Sequence, residues 1–146
     1  MQRCTRGQVT VDGKIVGSIG RGIVALVGTT AGDDERIARD LARRVAGYRI
    51  FPDDDGRTNL SVRDIGGAVL VVSQFTLYAN TKKGTRPSFV RAGEPELAQR
   101  LIGLFEAGLK EEGIPTSGGR FGAMMEVELV NDGPFTILLE KTAAPA

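Results

Sequence analysis

Two uninterrupted apolar runs, Ile23-Val24-Ala25-Leu26-Val27 and Ala68-Val69-Leu70-Val71-Val72, constrain this chain more than any other feature. Both have strand length and lack polar alternation, so each reads as a strand buried on both faces. Such strands need apolar cover, and two amphipathic segments can supply it. The spacing of Ile37, Leu41 and Val45 predicts a helix from about Asp34 to Tyr48, with Asp33 as its N-cap. Leu97, Leu101, Leu104, Phe105 and Leu109 predict a second helix from Pro95 to Glu112, with Gly113 placed to end it.

The remaining segments read as further strands and turns. Gln8–Val11 and Lys14–Ile19 flank Asp12-Gly13, the pattern of a β-hairpin with a two-residue turn. Ile50-Phe51 opens a strand that ends in Pro52-Asp53-Asp54-Asp55-Gly56, and the second apolar strand runs on into Ser73–Tyr78. Met125–Val130 and Phe135–Leu139 read as two closing strands separated by Asn131-Asp132-Gly133-Pro134, and residues 141–146 as a frayed tail. No repeat, linker or low-complexity block interrupts the 146 residues. The expectation is one α/β or α+β domain over 1–146, with a β-rich core, a small barrel-like or twisted sheet, and two helices packed outside.

Composition narrows the chemistry. The chain contains no histidine, which removes Ser-His-Asp and Cys-His catalysis, histidine metal sites and the commonest general base near neutral pH. Cys4 is the single cysteine, so no internal disulfide framework exists, and Cys4 reads as a small apolar filler. No apolar run approaches the roughly 18 residues of a membrane span, and no apolar leader follows Met1. These features point to the cytoplasm. A net charge of +1 leaves any nucleic-acid contact to local patches.

Several motifs then compete with plainer readings. Gly20-Arg21-Gly22-Ile23-Val24-Ala25 matches a dinucleotide pattern, but its glycines open a strand rather than a helix, so turn glycines are the better reading. Asp53-Asp54-Asp55-Gly56 lacks the spacing of a calcium loop and reads as a solvated turn. Arg36, Arg39 and Arg43 share a helix face, which is ordinarily a solvated stripe. Lys82, Lys83, Arg86 and Arg91, in a loop from Asn80 to Arg91 without any acidic residue, make the better phosphate-binding candidate. Ser73-Gln74-Phe75-Thr76 places hydrogen-bonding side chains directly after a buried strand, where scaffolds present chemistry, or else is simply an amphipathic continuation. Gly133-Pro134 is either an ordinary turn or a special backbone feature.

Ser73-Gln74-Phe75-Thr76-Leu77-Tyr78 resembles the SQFTL signature of D-aminoacyl-tRNA deacylases, and Asn131-Asp132-Gly133-Pro134-Phe135-Thr136 resembles that family's NxGPVT signature. The likeness extends through Gln2-Arg3, Val9–Gly13, Arg49-Ile50-Phe51, Asn59-Leu60-Ser61, Arg86–Phe89 and Gly119–Gly122. It implies a homodimer with active sites at the interface and a cis Gly133–Pro134 bond inserted into the partner's pocket. There the carbonyl oxygens of the Gly-Pro step exclude L-amino acids, and Arg3 tethers the loop. Ser73, Gln74, Phe75 and Thr76 take the 3′-terminal adenosine and the α-amino group.

Two departures stand out. Phe135 replaces the family's usual Val, which predicts a reshaped pocket rim. The chain also opens a few residues later than the family does, which predicts a shortened first strand and a loosely held Arg3. The expected reaction is ester hydrolysis of D-aminoacyl-tRNA, extending to glycyl-tRNA(Ala), with no cofactor and no metal. Backbone N–H groups near Phe75 and Thr76 serve as oxyanion donors, and the substrate's own 2′-hydroxyl positions the water, because nothing visible can deprotonate Thr76. The expected partners are aminoacyl-tRNA, contacted by Lys82, Lys83 and Arg86, and a second copy of the chain, with no membrane and no DNA. Two alternatives remain: a related deacylase that accepts L-alanine, and a non-catalytic RNA-binding module.

Overall fold

The two apolar runs lie side by side. In the computed structural model, which describes residues 1–143, β3 (Gly22–Val27) and β6 (Ala68–Ser73) pair in parallel from Gly22↔Ala68 to Val27↔Ser73. Alternation sends Ile23, Ala25, Val69 and Val71 to one face, where they pack with Phe51, Ile102, Phe105 and Leu109. Val24, Leu70 and Val72 face the other way and pack with Cys4, Val9 and Val11. The pair is therefore apolar on both faces because each face has its own core.

The helix-side core is covered by α1 (Glu35–Gly47) and α2 (Pro95–Glu111). The N-cap of α1 is Asp34, whose carboxylate accepts from the Ile37 N–H, and not Asp33. Asp33 instead accepts from the Thr30 N–H and closes the preceding turn. Leu97 and Leu104, expected on the inward face of α2, are only half-buried; Ala98, Leu101, Ile102 and Phe105 carry the contact.

The sheet order is β2-β1-β3-β6-β7, with β8 on the far edge of β1. Strand β1 (Gln2–Val11) begins six residues before the expected hairpin strand and turns at Asp12-Gly13 into β2 (Lys14–Ile19). Its first residues pair with β3 and its later ones with β2, while its other edge pairs with β8. Two short strands were not legible in the sequence. β7 (Thr116–Gly118) extends the sheet beyond β6, and β5 (Thr58–Leu60) pairs with β4 (Phe51–Pro52) in a separate two-stranded sheet. The Asp53 turn between β4 and β5 is held by its own carboxylate, which accepts from the N–H groups of Asp55 and Arg57 and from Asn59.

The sheet nearly closes on itself where β7 approaches β2. Ser117 Oγ accepts from the Ser18 N–H, and a Cβ on Gly17 would stand 2.3 Å from the Gly118 carbonyl oxygen. Glycine at 17 is what allows this approach.

The two expected closing strands are one, β8 (Glu126–Thr136), and the Asn-Asp-Gly-Pro segment lies within it. Beyond β8 the chain continues beside α1, where Lys141 reaches Asp40 at 3.2 Å. The rest of the tail read as frayed, residues 144–146, lies outside the described residues. No helix among the described residues is long and apolar enough to cross a membrane.

Closure predicts opposite outcomes at two glycines. Gly17→Ala drives a methyl group into backbone and should cost about 1–3 kcal/mol. Gly103→Ala, inside α2 with nothing within 4 Å of the new Cβ, should stabilise by about 0.4–1 kcal/mol. Denaturant midpoints of the two variants against the parent check both signs.

Candidate active site

The Ser73–Tyr78 segment does not continue as a strand. Gln74 gives its N–H to the Val27 carbonyl at 2.8 Å, the last bond of the parallel pairing. The chain then coils into a short 3-10 helix, Phe75–Tyr78, closed by Leu77 N–H to the Gln74 carbonyl. A helix start leaves its first N–H groups without intrahelical acceptors. Among the described residues, the N–H groups of Phe75 and Thr76 have no backbone or side-chain acceptor. The Gln74 amide donates to Thr76 Oγ1 at 2.5 Å, so that hydroxyl is engaged as an acceptor, and among the described residues no carboxylate or amine is hydrogen-bonded to it.

Besides a void of about 50 Å³ beside Tyr78, two cavities flank this segment. The smaller, about 170 Å³, is lined by Ser73, Gln99, Glu106, Arg120, Phe121 and Met125 among others. It combines an aromatic wall with polar groups, the mixture that recognises small molecules. Burial pushes the Glu106 carboxyl above its ordinary range, an effect partly offset by Lys110. The larger cavity, about 460 Å³, lies between β3, α1 and residues 136–140, with Leu77 and Tyr78 on its wall. Its lining is mainly aliphatic, so the smaller cavity is the better placed for chemistry.

The Gly133–Pro134 segment forms an arch on β8. From Gln2 to Cys4, β1 advances two residues, while β8 runs from Thr136 back to Asn131. The surplus residues leave the ladder opposite Arg3. Asn131 closes the base of the arch: its Oδ1 accepts from the Phe135 N–H at 2.6 Å, and its Nδ2 donates to Thr136 Oγ1 at 3.0 Å. The Gly133–Pro134 peptide is cis, as the resemblance implies, and Gly133 sits at φ +141°, a conformation that side chains rarely adopt.

Arg3 grips this arch firmly, contrary to the expectation of a loose tether. Its Nε donates to the Asp132 carbonyl at 2.9 Å and its Nη1 to the Ile50 carbonyl at 2.7 Å. The Asp132 carboxylate lies 3.5 Å away, and the side chain is only 12% exposed. The guanidinium also lies 4.6 Å from the centroid of the Phe135 ring. Ahead of β1, Met1 and Ile137 exchange backbone bonds at 2.7 and 2.9 Å and hold the start of the strand in place. Charged hydrogen bonds of this kind contribute about 1.5–3 kcal/mol each.

These elements do not all meet. Ser73 enters the small cavity, and Gln74, Phe75 and Thr76 lie beside it in sequence. Gly133 and Pro134 are exposed and line none of the described cavities. The arch bonds to Arg3 and to itself. Lys82, Lys83 and Arg86 are exposed at the tip of a loop closed by paired Asn80–Ser88 backbone bonds. That loop is joined to the candidate site through an edge-to-face contact of Phe75 with Phe89, centroids 5.1 Å apart. The helix stripe differs, because Arg39 pairs with Glu111 and Arg43 with Asp40. Sequence reasoning missed Glu106, Gln99 and Met125 as cavity residues. Phe121 and Arg120 were visible only as part of a segment of general likeness.

The chain matches the D-Tyr-tRNA(Tyr) deacylase family model over residues 1–140. It is 54% identical over 140 residues to a D-aminoacyl-tRNA deacylase of Roseiflexus castenholzii, covering 96% of this chain and 89% of that one. It is 50% identical to the D-aminoacyl-tRNA deacylase of Halalkalibacterium halodurans, covering 96% of each. Among solved structures it resembles a c-Myc DNA unwinding element binding protein, with a TM-score of 0.90, 38% identity and 97% coverage of both chains. By full-length sequence likeness, family model and shared fold, the chain belongs to the D-aminoacyl-tRNA deacylase family of hydrolases.

Proposed function

We propose that this chain hydrolyses the ester of D-aminoacyl-tRNA, and of glycyl-tRNA(Ala), in the cytoplasm. The product is free amino acid and tRNA, and L-aminoacyl-tRNA is rejected by the carbonyl oxygens of Gly133 and Pro134. The observation that carries this reading is the arch: it is pinned by Arg3, exposed, and apart from its own subunit's cavity. A rigid backbone group held out from the subunit suits use by a neighbour.

The outer edge of β8 supports a homodimer. The strand has eleven residues, pairs only with β1 among the described strands, and leaves Val127 and Val130 37% and 40% exposed. An unpaired edge of that length, with apolar side chains on it, invites pairing with another chain. Antiparallel pairing of two β8 strands about a twofold axis would bring the partner's arch toward the Met125 end, where Ser73 and Met125 line the small cavity. That cavity, with its Phe121 wall, suits the 3′-terminal adenosine. Lys82, Lys83 and Arg86 suit the tRNA backbone, since no carboxylate pairs with them among the described residues.

In this site the N–H groups of Phe75 and Thr76 stabilise the oxyanion as water adds to the ester carbonyl. The ribose 2′-hydroxyl orients that water, and the 3′-oxygen leaves with the proton. The Thr76 hydroxyl, accepting from Gln74, positions rather than attacks. Glycine has no side chain for a chirality filter to exclude. Phe135 lays its ring on Arg3 and lines none of the cavities given above, which favours the D-selective reaction over acceptance of L-alanine.

A deacylation series tests the proposal. D-tyrosyl- and glycyl-tRNA should be cleaved and L-tyrosyl-tRNA spared. Thr76→Ala should retain measurable activity, whereas removing the substrate 2′-hydroxyl should cost about 10²–10⁴-fold. Equal cleavage of D and L substrates refutes the filter. A trapped acyl group on Thr76 refutes the mechanism.

A further inference from the structure

Phe135 occupies the position where the family usually carries Val, and its ring lines none of the described cavities. It packs instead against the edge of the helix-side core and lies under the Arg3 guanidinium, 4.6 Å from ring centroid to Cζ. The backbone that carries the ring is itself held, because the Phe135 N–H donates to Asn131 Oδ1 at 2.6 Å.

The two carbonyls that Arg3 meets do not fix it completely. Bonds to Asp132 O and Ile50 O set where two guanidinium nitrogens lie, yet leave the plane free to rock about the line joining them. An aromatic ring with its centroid 4.6 Å from Cζ opposes that rocking, through its quadrupole as well as its shape. Aliphatic carbon of similar bulk supplies only the shape. The position is also well shielded from water, with the Arg3 side chain 12% exposed, and cation–π attraction is strongest where water is excluded. Rocking of this plane reaches the arch through the Nε bond to the Asp132 carbonyl, and Nη2 stands close enough to Gly133 that a Cβ there would lie 3.0 Å from it.

We infer that Phe135 is a positioning residue for stereochemical discrimination: its ring face locks the Arg3 guanidinium that fixes the Gly133–Pro134 arch. Phe135 touches neither substrate nor reacting atoms in this role, and the inference rests on the filter reading given above. It assigns to the one altered residue of the signature a gain in arch rigidity, not a change of pocket shape.

The test uses the full chain with D- and L-tyrosyl-tRNA and reads the ratio of the two hydrolysis rates. Phe135→Leu and Phe135→Met keep apolar bulk without a ring face, and Phe135→Tyr keeps the ring. Pro134→Ala reports on the filter itself. The leucine and methionine variants should raise the L-to-D ratio by about tenfold, the size expected for losing one shielded cation–π contact. The tyrosine variant should stay close to the parent. If leucine, methionine and tyrosine behave alike, whether all discriminate or all fail, the ring face is not the agent and the inference falls while the filter stands. If Pro134→Ala leaves discrimination intact, the filter reading itself falls and takes the inference with it. Reading two aliphatic variants together prevents a packing defect in one from deciding the result.

Discussion

Arg3 places a guanidinium in a nearly buried site and satisfies it mainly with backbone carbonyls from two distant parts of the chain. Asp132 O lies on β8, and Ile50 O lies at the entrance to the β4–β5 hairpin. A buried cation without such partners would be strongly destabilising. The surrounding architecture can be read as what keeps those partners in place. β1 must pair along both edges for Arg3 to stand opposite the surplus residues of β8, and Met1 and Ile137 must close the ladder beyond it. The arch is therefore a product of the whole sheet and not of its four residues.

The same frame accounts for the location of the other candidate groups. β6 is buried on both faces until Ser73, and its pairing with β3 ends at Gln74. The backbone must turn there, and turning into a 3-10 helix leaves the N–H groups of Phe75 and Thr76 without acceptors among the described residues, directly after the cavity residue Ser73. A chain without histidine has backbone donors and hydroxyls at this segment, with the Glu106 carboxyl as a titratable group on the cavity wall. Ester hydrolysis of an aminoacyl-tRNA can proceed with those, because electrostatic stabilisation and orientation supply much of the barrier reduction.

The features legible in the sequence were those with a local physical cause. Ile23–Val27 and Ala68–Val72 announced themselves as doubly buried strands, and both helices followed from apolar spacing. What was misread depended on choices between near-equal local options or on partners far away. Asp33 and Asp34 are adjacent and chemically equivalent, and only the path of the turn decides which one caps α1. Asn131-Asp132-Gly133-Pro134 reads as a turn between strands until Arg3, at the other end of the chain, holds it within one strand. Thr116–Gly118 has no apolar pattern, because a strand pressed against Gly17 must be small. For the site, SQFT and Gly-Pro were found by family likeness. Glu106 and Met125 were hidden because nothing local marks a side chain as facing a cavity.

The grip of Arg3 on the arch is the central claim, and Arg3→Lys tests it most directly. Lysine keeps the charge but cannot direct two planar donors to two separate carbonyls. The measurement is the rate of L-tyrosyl-tRNA hydrolysis relative to D-tyrosyl-tRNA by the folded variant. The account predicts that discrimination collapses while cleavage of the D substrate persists. A lysine variant that rejects L-tyrosyl-tRNA as sharply as the parent would contradict it.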